Sequence, residues 1–497
     1  MTTMERVTSR YADWRDEYRS RLRTLDGAMG LVEEGNLVGV SILLPGVLSL
    51  ALQQRARQLG RVHMRSLAPR EAHLFGPDGP KGEKEIELFI GDGIRPAHDA
   101  KIATYLPNTF MLGMKAFDAG REEARIPDVF LTSVSEPNES GYVHFGPHMW
   151  NKKAYLRRCP RTVAVVDPNL TPVFGDVWAH VSEFTCFVEG AVKPVDIPAV
   201  RERVETLSPA QNREELLRIL AAASPDQVAL VEDLFHAMPP GLLSQALGYA
   251  EIDPAAQGIA DNLRQLIRDG DTIQVGVGQP SSLMFKAGAF DDAQHLGLHT
   301  ELGSPGLAKL WERGILDNSR KSIHRGRSVA VAWSGCDSED LRTIAGNPAF
   351  ELYDPDYLLH PLHMAQNHNM TSINSAIAVD LLGQIASEDR FGGHMVNGTG
   401  GQPDTHISAA LSRGGRAITV MRSTALEGTL SKVVANHEAG TLVTIPRSLA
   451  DTITPDHAVA RLLDKNHRQR AQELIAIAHP DFRGELRKQA NELWGSV

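Results

Sequence analysis

The sequence predicts an α/β protein built as two α/β halves joined by a helical connector. Three observations carry this. Short β-rich apolar runs alternate with amphipathic helical segments, which is the pattern of layered α/β architecture. The chain has 497 residues, enough for two to four compact units at about 100–200 residues each. Residues from about 195 to 250 break the alternation with helical sequence alone. The expected division is 1–197, 198–250 and 251–497.

Residues 38–52 (VGVSILLPGVLSLAL) read as a buried strand leading into a helix, since Pro45 and Gly46 interrupt the run and it is too short to span a bilayer. Strands are expected at 87–90 (ELFI), 129–134 (VFLTSV) and 162–166 (TVAVV). Each is followed by turn chemistry: Gly91-Asp92-Gly93, Pro137-Asn138 and Asp167-Pro168-Asn169. In the connector, residues 213–223 (REELLRILAAA) read as a helix. Ser224-Pro225-Asp226-Gln227 reads as a capping box with Pro at the first helical position, and Val228, Val231, Leu234 and Phe235 recur at helical spacing until Pro239-Pro240-Gly241.

The second half reopens with a helix over 254–268, with Gly270 as its C-cap, then a strand at 272–275 (TIQV). A helix is expected at 281–287 and strands at 328–332, 417–420 and 441–445. Pro480-Asp481-Phe482 separates the last long helix from a charged C-terminal one.

Composition excludes several classes. There are 51 Lys+Arg against 61 Asp+Glu, a net charge of −10, which argues against wholesale nucleic-acid binding. Cys159, Cys186 and Cys336 form neither a disulfide framework nor a zinc-finger spacing, which points to a reducing, cytoplasmic setting. The first 23 residues mix charge signs without an apolar stretch, so no signal peptide is expected, and no membrane span is read anywhere. His360, His363 and His368 do not match a metal-ligand spacing, and turn capping is the preferred reading; no metal site is expected. GxSxG and GxxxxGK[ST] are both absent.

What remains is glycine and one carboxylate. Gly276-Val277-Gly278 follows an expected strand, so its N–H groups are able to hold an anion or oxyanion, and a tight turn without a ligand fits equally. Residues 391–404 (FGGHMVNGTGGQPD) form a glycine-rich loop that packs no core and reads as ligand-facing. Glu301, in His299-Thr300-Glu301, is by itself either a helix-start residue or a desolvated nucleophile.

These segments, taken in order, resemble the acetyl-CoA hydrolase/transferase family, which includes 4-hydroxybutyrate and acetate CoA-transferases. The resemblance runs through Gly276-Val277-Gly278, His299-Thr300-Glu301-Leu302, Ile373-Asn374-Ser375-Ala376, Val379-Asp380-Leu381-Leu382-Gly383-Gln384, and Gly398-Thr399-Gly400-Gly401-Gln402-Pro403-Asp404. It continues through Ser423-Thr424-Ala425, Gly428, Ser431-Lys432 and 477–483 (IAHPDFR). The first half adds 135–142 (SEPNESGY).

The resemblance implies two open α/β CoA-transferase-type domains with the active site in the cleft between them. It places the catalytic glutamate at Glu301, oxyanion donors near Val277 and Gly400, and CoA along Gly276, Gly278, Gly398 and Gly401. Lys432, with Arg413, Arg416 or Arg422, would face the CoA phosphates. CoA and acyl-CoA enter as substrates, with a carboxylic acid as the second partner and no permanently bound cofactor. Self-association is implied too. The expected reaction is CoA transfer; an acyl-CoA hydrolase using the same glutamate, or a silent CoA-binding subunit, are the alternatives. The sequence departs from the family where Leu359 stands in place of an Asn and where Pro455-Asp456-His457-Ala458 replaces a T-E-Y-G turn. The usual glycine-rich opening turn of the first half gives way to 40–46 (VSILLPG).

Overall fold

The computed structural model describes residues 13–69, 71–88, 94–206, 210–223, 225, 227–228, 251–391 and 393–497. Contacts divide the chain into two compact units. The first takes in Met1–Asn108, Leu112–Tyr249 and Asp337–Asp356; the second takes in Thr109–Met111, Ala250–Cys336 and Tyr357–Val497. Each unit therefore includes a segment from the opposite half of the sequence.

The first unit is organised on a seven-stranded sheet, parallel throughout: β1 (Leu37–Val40), β2 (His63–Ser66), β3 (Lys84–Ile86), β4 (Thr104–Tyr105), β5 (Val129–Val134), β6 (Arg161–Val166) and β7 (Cys186–Val188). The order is β7-β6-β5-β1-β2-β3-β4. Every residue of β1 and β5 is buried, which is why these strands read as continuous apolar runs and not as alternation. The 38–52 segment does what its sequence suggests: β1 is followed by α1 (Gly46–Leu59), with Pro45 at the N-cap.

One strand is displaced. The ladder runs over Lys84–Ile86, not 87–90, because Glu85 lies beside Arg65 on the neighbouring strand and the two pair at 2.7 Å. Glu87 and Leu88 continue the bonding by donating their N–H groups to the Ser66 and Leu67 carbonyls; Phe89, Ile90 and Gly91-Asp92-Gly93 lie outside the described residues.

Helix α2 (Lys152–Arg158) packs near β5. The Asp354 carboxylate accepts the Ala154 N–H, and Phe350–Leu352 pairs in parallel with Phe174–Gly175. These bonds tie the 337–356 segment to the first unit. In the connector, α3 spans Ala210–Ala222, overlapping the expected 213–223 helix. Ser224 and Asp226 of the expected capping box, and the break at 239–241, lie outside the described residues.

The second unit carries a six-stranded sheet. Its strands are β8 (Thr272–Val275), β9 (Gly297–Leu298), β10 (Met370–Ser375), β11 (Arg416–Val420), β12 (Thr452–Thr454) and β13 (Ala460–Arg461). The order is β9-β8-β10-β11-β12-β13, parallel except for the last pair. Helix α4 (Pro254–Arg264) starts as read, with the Asp253 carboxylate accepting the Ala256 N–H at 2.9 Å and Pro254 in the first turn. It ends four residues before 268, and Gly270 is not its C-cap. Gly270, at φ +79°, instead serves the turn into β8, its N–H bonded to the Gln294 carbonyl.

Two further expectations are corrected. Residues 281–287 form a single 3₁₀ turn (Ser281–Leu283), not a helix. Residues 441–445 are not a strand: Ile445 makes one antiparallel bridge to Ile385, and β12 takes the place beside β11. The strand expected at 328–332 is shorter, Ser328–Ala330. The C-terminus reads as expected: α6 (His467–Ile477), then α7 (Pro480–Trp494) with Pro480 in its first turn. Leu474, Ile475 and Ile477 pack there on Val379, Leu381 and Ile453. No helix among the described residues is long and apolar enough to cross a membrane.

Candidate active site

The site is assembled at the carboxyl ends of β8, β9 and β10, where parallel sheets commonly place ligands. The Gly276-Val277-Gly278 turn leaves the end of β8. A β-carbon on Gly276 would overlap the Asn374 amide oxygen, so no larger residue fits, and Gly278 takes φ +96°. Ser281 holds the turn from below: its hydroxyl donates to the Gly276 carbonyl at 2.9 Å and to the Gly278 carbonyl at 3.0 Å. That use of Ser281 accompanies the tight 3₁₀ geometry found where a helix was expected. Ser375, at the end of β10, donates its hydroxyl to Ser281 Oγ at 2.9 Å and accepts the Ser281 N–H at 3.1 Å.

Asn374, the residue under Gly276, is itself fixed. Its amide donates to Ser372 Oγ and Thr405 Oγ1, both at 2.9 Å, and its amide oxygen accepts from Gln274 at 3.1 Å. This buried network links β8, β10 and helix α5 (Gln402–Leu411). Fully bonded polar clusters of this kind favour one geometry over its alternatives.

Glu301 lies just past β9. Its carbonyl accepts the N–H groups of Val331 and Ala332, at 3.0 and 3.2 Å. On its N-terminal side the Thr300 hydroxyl both accepts the Val275 N–H and donates to the Val275 carbonyl, each at 3.0 Å. That side chain clips the glutamate segment to the residue preceding Gly276. His299 is fully buried and donates Nε2–H to the Leu358 carbonyl at 2.8 Å while Nδ1 accepts from Asn367 at 3.1 Å. Burial holds this imidazole neutral, its pKa driven well below the usual value.

The Glu301 side chain is 4% exposed. Its Oε2 sits 2.9 Å from where a β-carbon on Gly401 would stand. Gly401 is the N-cap of α5, so the carboxyl group lies at the end of a helix where negative charge is favoured. Asp404, in the first turn of α5, is fully buried and accepts the Met111 N–H at 3.2 Å. Burial first, then the charge of Asp404, raises the Glu301 pKa to about 8. Burial likewise raises Asp404 to about 6, against hydrogen bonds from the 109–111 segment.

The glycine loop is anchored at Glu388. Its carbonyl accepts the Val396 and Asn397 N–H groups, and its carboxylate accepts the Thr399 and Thr444 hydroxyls at 2.9 Å each. This brackets Gly398 and brings Gly400, at φ +56°, up to Gly401. Among the described residues no acceptor engages the N–H of Val277 or of Gly400.

Lys432 donates Nζ–H to the Ala376 carbonyl at 3.1 Å, next to the Ser375 that supports the glycine turn. Two of the other three cations are committed elsewhere. Arg416 pairs with the buried Asp271, and Arg422 pairs through both nitrogens with Asp253 at 3.1 and 2.6 Å; Arg413 is exposed. His360 caps its own short helix by accepting the Leu362 N–H, and His363 stacks against Tyr357 at 4.4 Å between ring centroids. Leu359 is fully buried, and Asp456 accepts the backbone N–H and hydroxyl of Ser423.

Sequence reasoning missed the support around Glu301. The resemblance includes Asp404 but assigns it no role, although an acid following Gly-Gln-Pro at a helix start is a legible signal. Phe110, whose ring also lies against Gly401, had no local signal at all.

The chain is similar to known proteins in sequence and fold. Residues 339–490 match the model for the acetyl-CoA hydrolase/transferase C-terminal domain. The chain is 30% identical to a 4-hydroxybutyrate coenzyme A transferase of Clostridium kluyveri over 95% of this chain and 98% of that one. It is 28% identical to a succinyl-CoA:cyclohexane-1-carboxylate CoA transferase of Geobacter metallireducens, over 99% of both. The fold is similar to that of RipA from Yersinia pestis, with TM-score 0.76 at 26% identity, over 97% of this chain and 99% of that one. Given its identity to the Clostridium kluyveri enzyme across nearly the full length of both, the chain belongs to the acetyl-CoA hydrolase/transferase family of CoA-transferases.

Proposed function

We propose that the protein moves CoA between an acyl-CoA and a carboxylic acid by a ping-pong route through Glu301. The observation that carries this is the placement of a buried carboxyl group against the N-terminus of α5, clipped by Thr300 to the strand end that begins the glycine turn. A Glu301 oxygen attacks the thioester carbon, the C–S bond breaks, and CoA thiolate departs, leaving an acyl-glutamyl anhydride. The thiolate then attacks the glutamyl carbonyl, the anhydride C–O bond breaks, and the first acid leaves. The enzyme is left as a glutamyl-CoA thioester. A second carboxylate reverses both steps and departs as the new acyl-CoA. Anhydride and thioester are both activated, so no ATP is required.

Each step develops an oxyanion. The N–H groups of Val277 and Gly400 are the proposed donors, with Gly276, Gly278, Gly398 and Gly401 keeping the approach open and Lys432 facing the CoA phosphates. Such donors are worth roughly 10²–10³ in rate each. A carboxyl group with a pKa of about 8 is ionised in only roughly a tenth of molecules at pH 7. The ionised form is correspondingly basic and nucleophilic, and the helix end favours its charge.

Hydrolysis would use the same carboxyl group and differ only in water reaching the covalent intermediate. The test is peptide mass spectrometry after incubation with acyl-CoAs, searching for CoA on the Glu301 peptide, together with acyl-CoA consumption with and without an acceptor acid. Acceptor-independent consumption at full rate would replace transfer by hydrolysis, and normal turnover by Glu301→Ala would remove Glu301 from the mechanism.

A further inference from the structure

Two side chains compete for the space over the Gly401 Cα. Oε2 of Glu301 and Cδ2 of the Phe110 ring each lie 2.9 Å from the position a β-carbon there would take. Phe110 belongs to the first half of the sequence, yet with Thr109 and Met111 it packs into the second unit. It is buried, and its neighbour Met111 is held by the Asp404 carboxylate. An aromatic ring with two side-chain torsions, buried and held on its Met111 side, makes a rigid wall.

The acyl-glutamyl anhydride, the intermediate that carries the acyl group, is built on one of the two Glu301 oxygens. The new carbonyl and the first carbons of the acyl chain must then stand within a few bond lengths of Oε2, where the ring already is. We infer that Phe110 is a specificity-determining residue, its ring limiting the acyl group carried on Glu301 to short, uncharged aliphatic chains. This rests on Glu301 being the nucleophile. The chemistry at the wall selects as well as the size. A second carboxylate on the acyl group would be desolvated against the ring and would face the charge of Asp404, so dicarboxylic acyl groups are disfavoured.

The test uses the full-length enzyme with acetyl-, butyryl-, hexanoyl- and succinyl-CoA and one common acceptor, comparing kcat/KM. The expected wild-type order places acetyl- and butyryl-CoA at least about tenfold above succinyl-CoA. Phe110→Ala is expected to raise the hexanoyl-to-acetyl ratio about tenfold or more, and Phe110→Trp to lower it, the scale on which a pocket senses one or two methylenes. Phe110→Leu should fall between wild type and Phe110→Ala, and with Phe110→Trp it carries the test should the alanine variant fold poorly. A merely structural ring would lower all substrates together. Ratios within threefold of wild type in every variant, or a wild-type preference for succinyl-CoA, overturn the proposal. The CoA adduct on the Glu301 peptide separates the two levels. An adduct with unchanged ratios defeats only the role of Phe110, whereas turnover by Glu301→Gln defeats the nucleophile and this inference with it.

Discussion

The buried carboxylate of Asp404 repels the buried carboxyl group of Glu301, and the two titrate apart, at about 6 and about 8. Asp404 has its charge stabilised by hydrogen bonds from the 109–111 segment, while Glu301 has burial and a neighbouring anion against it. Across neutral pH the resting site therefore holds one negative charge more readily than two.

This sets a pH dependence. On the nucleophile reading, kcat/KM for acyl-CoA should rise tenfold per pH unit below about 8 and level off above it. Asp404→Asn removes the repelling charge, so the rising limb should move to lower pH. A limb that stays in place or moves upward in a folded Asp404→Asn enzyme would contradict the coupling.

Stability should carry the same signature. Glu301 has its pKa raised from 4.5 to about 8 in the folded chain. The folded state therefore binds this proton more tightly than the unfolded one. The contribution is fully present below about pH 4.5 and is lost as pH rises through 8. Glu301→Gln, which cannot ionise, should gain stability relative to wild type as pH rises, by a few kcal/mol at most above pH 8. Urea melts at pH 5, 7 and 9 would measure it; a constant difference across that range refutes the burial account. The same variant should lose at least about 10³ in turnover.

Gly401→Ala would place a methyl group 2.9 Å from Glu301 Oε2 and from the Phe110 ring. The carboxyl group must move, so kcat should fall by roughly 10²-fold, since displacements near 1 Å at a reacting centre cost about that much. The thermal midpoint should change far less than activity does. A variant with wild-type kcat would show that Glu301 does not react from this position.

Lys432, the proposed CoA-facing cation, and Arg422, paired with Asp253, can be told apart by substitution. Lys432→Met should raise KM for acyl-CoA about tenfold and leave kcat nearly unchanged, the pattern of a lost binding contact. Arg422 is engaged with Asp253 by both its terminal nitrogens, so Arg422→Met should leave KM alone. Equal effects from the two substitutions would withdraw Lys432 from the CoA site.

Much of the second unit's sheet was legible because its signals are contiguous. Residues 272–275 form a fully buried strand, 276–278 a glycine turn at its end, and 299–302 carry the glutamate, each within a few positions. The misreadings occurred where distant pairings outweigh local pattern. Glu85 joins its strand through Arg65, 441–445 yields to 452–454, and Ser281 spends its hydroxyl on the glycine turn. Thr300 on Val275, Asp404 on Met111 and Phe110 on Gly401 join residues from 25 to nearly 300 positions apart. No window of sequence contains both partners.

The exchange of segments between the units bears on how the molecule is made and cut. On a ribosome, the first unit lacks its Phe350–Leu352 strand and the Asp354 bond to Ala154 until synthesis is well into the second half. Its early stretch must wait, with strand edges open to wrong partners. Nor is there a clean place to divide the gene. A cut anywhere in the connector gives one fragment without residues 337–356 and another without Phe110, so neither product carries all of its own unit. Co-expressed halves should complement one another far better than either survives alone.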